Sequence, residues 1–369
     1  MATLVVKIGT SSLSDAATGD LRLATLGGLA ETLTRLRRKG ERVLLVSSGA
    51  VGIGCARLGL KERPASVAGK QAAAAVGQGL LMSIYDRFFG ALGQPVAQVL
   101  LTRQDLMDRT RYLNARETLG ELLRLGTIPI VNENDTVATE ELRFGDNDAL
   151  SALVAGLIEA DWLILLTDVA GLYSANPRLD PAAHLLPEIS EISESLLLSA
   201  RGKSTWGSGG MASKLEAARI AAMAGVTTVI TEGSTPQNIV RILAGEAVGT
   251  RFRLSGPRGR ASLRKRWIGH GLVPTGTLQL DAGAVEAVRS GGKSLLPAGI
   301  VAIDGNFEAG ALVRLTDTGG HEFARGLVNY SSSELAKIRG HNSQQIAAIL
   351  DQQGPPKTAV HRDNLIVWS

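Results

Sequence analysis

A chain of 369 residues is too long for one ordinary core and predicts two domains. Hydrophobic residues make up 44 % of it but aromatic ones only 4 %, the Ala/Val/Leu/Ile/Gly vocabulary of parallel sheets covered by helices. The net charge of +4 is small, one cysteine rules out an internal disulfide, and no run of about 18 apolar residues announces a membrane span. In chain order, strands are expected over 4–8, 42–47, 95–101, 127–131, 162–166 and 226–230. Helices are expected near 22–39, 67–92, 111–125, 149–159 and 211–224. This alternation predicts a mainly parallel α/β sheet with right-handed crossovers.

The first strand begins almost at Met1 with no basic stretch before a long apolar segment, so a signal peptide is not expected and a cytoplasmic setting is. Cys55 falls in a Gly/Ala-rich helical stretch and reads as a packed core thiol. Residues 174–206 carry several Pro and Ser and read as loop-rich, with small hairpins. Residues 251–266 hold seven basic side chains and no acidic one, whereas 267–369 carry eight basic against nine acidic. The basic excess is therefore a local band, read as a solvated linker because Gly256, Pro257 and Gly259 interrupt it. Beyond it, short strands over 277–280, 299–303, 311–316 and 322–329 alternate with Gly-rich turns, and one short helix comes next over 333–339. A small β-barrel-like module is expected. The histidines there (His270, His321, His341, His361) lack metal-site spacing and are read as structural or exposed.

The polar clusters sit where predicted strands end, the edge at which ligands bind in α/β sheets. Strand one ends in Lys7-Ile-Gly9-Thr-Ser-Ser12, an unusual lysine among apolar residues followed by a small-residue turn suited to phosphate oxygens. Strand two ends in Ser47-Ser48-Gly49-Ala50, another loop that lets a ligand approach the backbone. Strand four runs into Asn132-Glu133-Asn134-Asp135. Four such side chains in a row are expected outside the core, because each would need hydrogen-bond partners there. Strand five ends in Thr167-Asp168. Finally Gly207-Ser208-Gly209-Gly210-Met211-Ala212-Ser213-Lys214 opens a helix, whose free N–H groups and dipole favour an anion. It is not a dinucleotide fingerprint, since no apolar strand precedes it, and no Walker-type loop occurs anywhere. Two lysines, two small-residue loops and a carboxylate/amide cluster suit phosphoryl transfer, which asks for positioning and charge neutralisation. The absence of a histidine base among these loops fits a carboxylate acceptor, already ionised at neutral pH.

The ordered set Val6-Lys-Ile-Gly-Thr10, Ser47-Ser-Gly-Ala50, Asn132-Glu-Asn-Asp-Thr-Val137, Phe144-Gly-Asp-Asn-Asp-Ala-Leu-Ser151, Leu165-Leu-Thr-Asp-Val-Ala-Gly-Leu-Tyr173 and Gly207–Lys214 resembles the glutamate 5-kinase family of the amino-acid kinase superfamily. Lys265-Arg-Trp-Ile268, Ser294–Gly299 and Val360-His-Arg-Asp363 resemble the PUA module that many members carry. The resemblance implies a mainly parallel-sheet sandwich of the amino-acid kinase type over 1–252, a basic linker over 253–273, and a small β-rich PUA-like domain with tail over 274–369. It implies phosphorylation of L-glutamate by ATP with Mg²⁺, the first step of proline biosynthesis. Lys7, Asp148 and Lys214 would be catalytic, with Asp148 orienting the two lysines. Ser48, Gly49, Ala50, Asn134, Asp135 and Asn147 would hold glutamate. Lys7, Gly9, Thr167, Asp168, Ser208, Gly209, Gly210, Met211, Ala212, Ser213 and Lys214 would hold ATP. Ser208 and Ser213 stand where the family more often has Thr, with the hydroxyl kept. Feedback inhibition by proline, a homo-oligomer of two or four chains and a possible contact with the next pathway enzyme are implied too. No membrane partner is expected. An acetylglutamate- or carbamate-type kinase, or an RNA-binding factor working through the PUA-like module, stay open as alternatives, although the near-neutral charge of 267–369 weakens the nucleic-acid reading.

Overall fold

The computed structural model describes all residues except 15–20, 61, 139–146, 176, 178–179, 194–195, 197–209, 254–273, 343–344, 352–354 and 368–369. The chain divides into two compact units, Met1–Arg258 and Gly259–Ser369. All but Arg253 of the expected linker lies outside the described residues.

In the first unit, strands β1 (Thr3–Ile8), β2 (Arg42–Val46), β3 (Val96–Leu101), β4 (Ile128–Glu133), β5 (Trp162–Thr167), β6 (Glu188–Ile189), β7 (Thr227–Glu232) and β8 (Thr250–Phe252) form one sheet in the order β3-β4-β2-β1-β5-β7-β8-β6. Every pairing is parallel except β7 with β8. The described helices of this unit are α1 (Thr10–Leu13), α2 (Leu23–Arg38), α3 (Ala50–Arg57), α4 (Val67–Gly90), α5 (Arg103–Met107), α6 (Arg109–Arg124), α7 (Asn147–Leu157), α8 (Met211–Met223) and α9 (Asn238–Leu243). The central strands are near-continuous apolar runs until their carboxyl ends, as strands covered on both faces are. Leu4, Val6 and Ile8 of β1 pack with Leu26, Leu29 and Leu33 of α2 and with Leu81, Tyr85 and Phe89 of α4. Cys55 is free and buried, as expected.

The register fixes which strand ends become neighbours. Lys7 pairs with Val46, Val46 with Val131, and Ile8 with Leu166. The carboxyl ends of β4, β2, β1 and β5 therefore lie side by side along one edge, with β1 between the ends that carry the amides and the end that carries Thr167.

A second device shapes this edge. Helices α3 and α4 cross backbone to backbone at Gly54 and Gly77. A Cβ on Gly77 would lie 1.8 Å from the Ala50 carbonyl oxygen, and one on Gly54 would lie 1.8 Å from that of Ala73. No side chain fits at either place, so these glycines press α3, and the 47–50 loop before it, onto α4.

Some expectations need correcting. Strand four does not stop at Val131. It continues through Asn132 and Glu133, which are 3 % and 7 % exposed. A buried polar side chain still needs partners, and for Asn132 hydrogen bonds with Gln78, Asn147 and the Glu133 N–H supply them inside the fold. The antiparallel β8 and the short helices α5 and α9 are additions to the expected pattern. In 174–206, the described part holds an antiparallel bridge between Tyr173 and Leu185 and the two-residue β6.

The second unit is a five-stranded sheet, order β10-β9-β11-β12-β13, from β9 (Gly276–Leu280), β10 (Ile300–Asp304), β11 (Leu312–Thr316), β12 (Glu322–Val328) and β13 (Val360–Val367). Its core gathers Leu278, Leu280, Val313, Leu315 and Phe323 around Tyr330. The expectation of one short helix is wrong here. Besides α11 (Ser332–Ile338), helices α10 (Ala282–Arg289) and α12 (Ile346–Leu350) are present. Each is five to eight residues long, too short for a 3.6-residue period to stand out in the sequence. No described helix is long and apolar enough to cross a membrane.

Candidate active site

Lys7, Asp148 and Lys214 come together although they stand in β1, at the second residue of α7 and at the fourth of α8. Lys7 Nζ lies 2.5 Å from Asp148 Oδ1 and Lys214 Nζ 3.0 Å from Asp148 Oδ2. All three are buried, Asp148 completely. Ser213 Oγ stands 3.0 Å from Asp148 Oδ2 and 2.7 Å from the Gly210 carbonyl, so its hydroxyl ties the first turn of α8 to the same carboxylate. Taken by themselves, one carboxylate and two ammonium groups carry one net positive charge. Burial strengthens that charge towards any anion admitted to it. The N-terminus of α7 favours the Asp148 carboxylate through the helix dipole.

The amide cluster packs beside it. Asn147 Nδ2 donates to the Ser47 carbonyl at 2.5 Å and to Asn132 Oδ1 at 2.7 Å. Asn132 Nδ2 donates in turn to Gln78 Oε1 at 2.7 Å. Ser47 Oγ meets the Tyr85 hydroxyl at 2.8 Å. Burial pushes the Tyr85 phenol far above its ordinary range, an effect that outweighs the opposing hydrogen bond with Ser47, so it stays a neutral hydroxyl. Gly49 comes next with φ of 100°, a left-handed conformation that glycine tolerates, and Ala50 begins α3. Ser48 is half-buried on this loop. Asn134 and Asp135 are half-buried just beyond β4, with the Asn134 N–H bonded to the Leu101 carbonyl.

Thr167 and Asp168 end β5 on the other side of β1. Thr167 is buried and donates from Oγ1 to Asp168 Oδ1 at 3.0 Å, while Asp168 is exposed. Gly9 lies close by: a Cβ placed on it would be 3.9 Å from the Leu166 carbonyl oxygen and 3.6 Å from Lys7 Nζ. Gly210 caps α8, with Met211, Ala212, Ser213 and Lys214 in its first turn. Ser208 and Gly209 lie outside the described residues. The structure thus joins Lys7, Asp148, Ser213 and Lys214 by direct contact, and Asn147 to the Ser47 loop. It gives Ser48, Asn134, Asp135, Thr167 and Asp168 neighbouring strand ends.

The amino acid kinase family model matches residues 2–232 and the PUA domain model matches 276–350. The glutamate 5-kinase of Gloeobacter violaceus is 80 % identical over the full length of both chains. The chain belongs to the glutamate 5-kinases of the amino acid kinase family. Glutamate 5-kinases of a Synechococcus strain and of a Cyanothece strain are 62 % and 61 % identical, covering 98 % and 99 % of this chain and 97 % and 99 % of theirs.

Two neighbours of the site were not foreseen from the glutamate 5-kinase resemblance, Gln78 and Tyr85. Both lie on the face of α4 that buries Ala74 and Leu81, at the three- and four-residue spacing of one helical stripe. The available signal was a polar residue interrupting an apolar stripe, which periodicity alone does not connect to a distant loop.

Proposed function

We infer that the chain transfers the γ-phosphoryl group of ATP to the side-chain carboxylate of L-glutamate, giving L-glutamyl 5-phosphate and ADP, the opening step of proline biosynthesis from glutamate. The observation that carries this reading is the Lys7–Asp148–Lys214 cluster, in a chain 80 % identical to a glutamate 5-kinase. The acceptor carboxylate is ionised at neutral pH, so it attacks without a general base. A carboxylate oxygen forms the new bond to phosphorus as the bond to the β-phosphate oxygen breaks, and ADP leaves with that electron pair. The protein's task is to hold both anions in line and to offset their charge.

The topology suggests a division of labour. Gly9, Thr167, Asp168 and the first turn of α8, with the 208–210 segment before it, hold the nucleotide. Ser48, Gly49, Ala50, Asn134, Asp135 and Asn147 hold glutamate. Lys7 lies between them and neutralises the travelling phosphoryl group, Lys214 offsets the leaving charge, and Asp148 fixes the separation of the two ammonium groups. Among the described residues, no group of three or more His, Cys, Asp or Glu is placed to hold a metal ion. Mg²⁺ arriving with ATP would supply charge neutralisation at the phosphates.

Hydroxylamine trapping tests the substrate directly. Hydroxamate should form with glutamate and far less with aspartate or N-acetylglutamate, and added proline should suppress it at the same site. Product from one of the other acceptors with none from glutamate would overturn the assignment.

A cytoplasmic homo-oligomer is part of the same proposal. Its support is a pair of large apolar side chains one turn apart on α4, Val76 and Leu80, 39 % and 38 % exposed. Light scattering should find a dimer or tetramer, and Val76→Glu with Leu80→Glu should shift it towards the monomer. An unchanged mass in the double variant would remove that face from consideration. In this proposal the PUA-like unit serves assembly or regulation, contact with the next pathway enzyme included. Tight, salt-sensitive RNA binding by the full chain in a gel shift would reassign it.

A further inference from the structure

The amides behind the acceptor loop form a relay whose direction is set at both ends by the backbone. The Glu133 N–H meets Asn132 Oδ1 at 2.9 Å. A backbone N–H only donates, so the Asn132 carbonyl must face it and the Asn132 NH₂ must face Gln78. At the other end the Ser47 carbonyl only accepts, so the Asn147 NH₂ must face it. The second N–H of Asn147 goes to Asn132 Oδ1. Both donors of Asn147 are then engaged, which leaves Oδ1 as its side-chain atom for a ligand.

Gln78 closes this relay from α4. Its Oε1 accepts the Asn132 NH₂ at 2.7 Å, and the side chain is half-buried. We propose that Gln78 is a positioning residue for the acceptor subsite: by supplying a hydrogen-bond acceptor to Asn132, it holds the orientation of Asn147 and the Ser47 carbonyl. This rests on the glutamate-phosphorylating reading of the site. Without an acceptor at this place, a nearly buried NH₂ loses its partner, and Asn132 turns or shifts to recover one. Asn147 then loses the group that directs it. Gln78 acts through Asn132 and Asn147, not through the lysines and Asp148, so the damage falls on glutamate binding and spares ATP binding.

Gln78→Glu keeps an acceptor for Asn132, whereas Gln78→Lys offers only donors. Simple attraction of an anionic substrate predicts that lysine lowers the glutamate KM and that glutamate at this position raises it. The relay predicts the reverse order. In the hydroxamate assay, Gln78→Lys should raise the glutamate KM about tenfold with the ATP KM within about twofold, and Gln78→Glu should stay within about threefold of the native chain. Melting curves accompany both, and Gln78→Leu, which also lacks an acceptor, replaces the lysine variant if that one does not fold. Equal glutamate KM values in all variants, a worse KM for Gln78→Glu, or parallel rises in both KM values with a lowered Tm would overturn the proposal. The native chain is the control for the substrate reading itself. If it makes no glutamyl hydroxamate, the substrate assignment fails; if it does and the variants do not differ, only the relay fails.

Discussion

Lys214→Ala should lower the turnover of glutamyl phosphate formation by about 10²–10³-fold, the loss typical when one preorganised charge-stabilising donor is removed. The fold should survive. Asp148 keeps Lys7 at 2.5 Å and the Ser213 hydroxyl at 3.0 Å, so removing one of two ammonium groups leaves a balanced pair. The missing charge matters when the phosphoryl group moves and negative charge builds on the leaving oxygen, with no mobile water able to answer it as quickly. Because Lys214 is assigned to the nucleotide side and to the leaving charge, and not to holding glutamate, the glutamate KM should change little while kcat falls. Steady-state kinetics in the trapping assay check both numbers. A kcat within about threefold of the native value would exclude Lys214 from the transition-state machinery.

Asp148→Asn should carry a large stability effect in the first unit, about 3–5 kcal/mol, because it removes the carboxylate that both buried ammonium groups contact. The native carboxylate is ion-paired with Lys7 through one oxygen and accepts from Lys214 and Ser213 on the other. Asparagine supplies one acceptor and turns an NH₂ towards a cation, so one lysine meets a donor and both repel each other. Denaturant unfolding of the full chain, read on the transition of the first unit, should show the loss. Turnover should fall as well, because nothing then sets the spacing of the lysines. ATP should restore more stability to the variant than to the native chain, since its phosphates offer the counter-charge that Asp148 supplied. A loss below about 1 kcal/mol would mean that water or another anion already reaches these groups, against their burial.

Much of this arrangement was legible in the residues. The alternation of apolar strands and helices required a parallel sheet, and that in turn required strand ends at one edge. Lys7 announced itself as a cation in an apolar strand, and Gly210–Lys214 as a helix opening suited to an anion. Their motifs also carried the family resemblance. What the residues could not show was convergence. Lys7, Asp148 and Lys214 are separated by 141 and 66 positions, and no local signal says that two cations will share one carboxylate. Asn132 makes the same point from the other side. Read locally, a run of amides and acids belongs outside a core, and the reading failed because Gln78, Glu133 and Asn147 supply its partners. The short helices α10 and α12 escaped because so few residues cannot establish a period.

The division has one physical origin. Periodicity, turn chemistry and motif content are local properties of the chain, so they were enough to establish the sheet, its working edge and the chemical types gathered there. Pairing between buried polar groups depends on distances that exist only after the strands have registered and α3 has pressed against α4 through Gly54 and Gly77. Which ammonium meets which oxygen, and which way each amide faces, was therefore decided by packing, because a desolvated polar group accepts only the partners that the closed fold brings within reach.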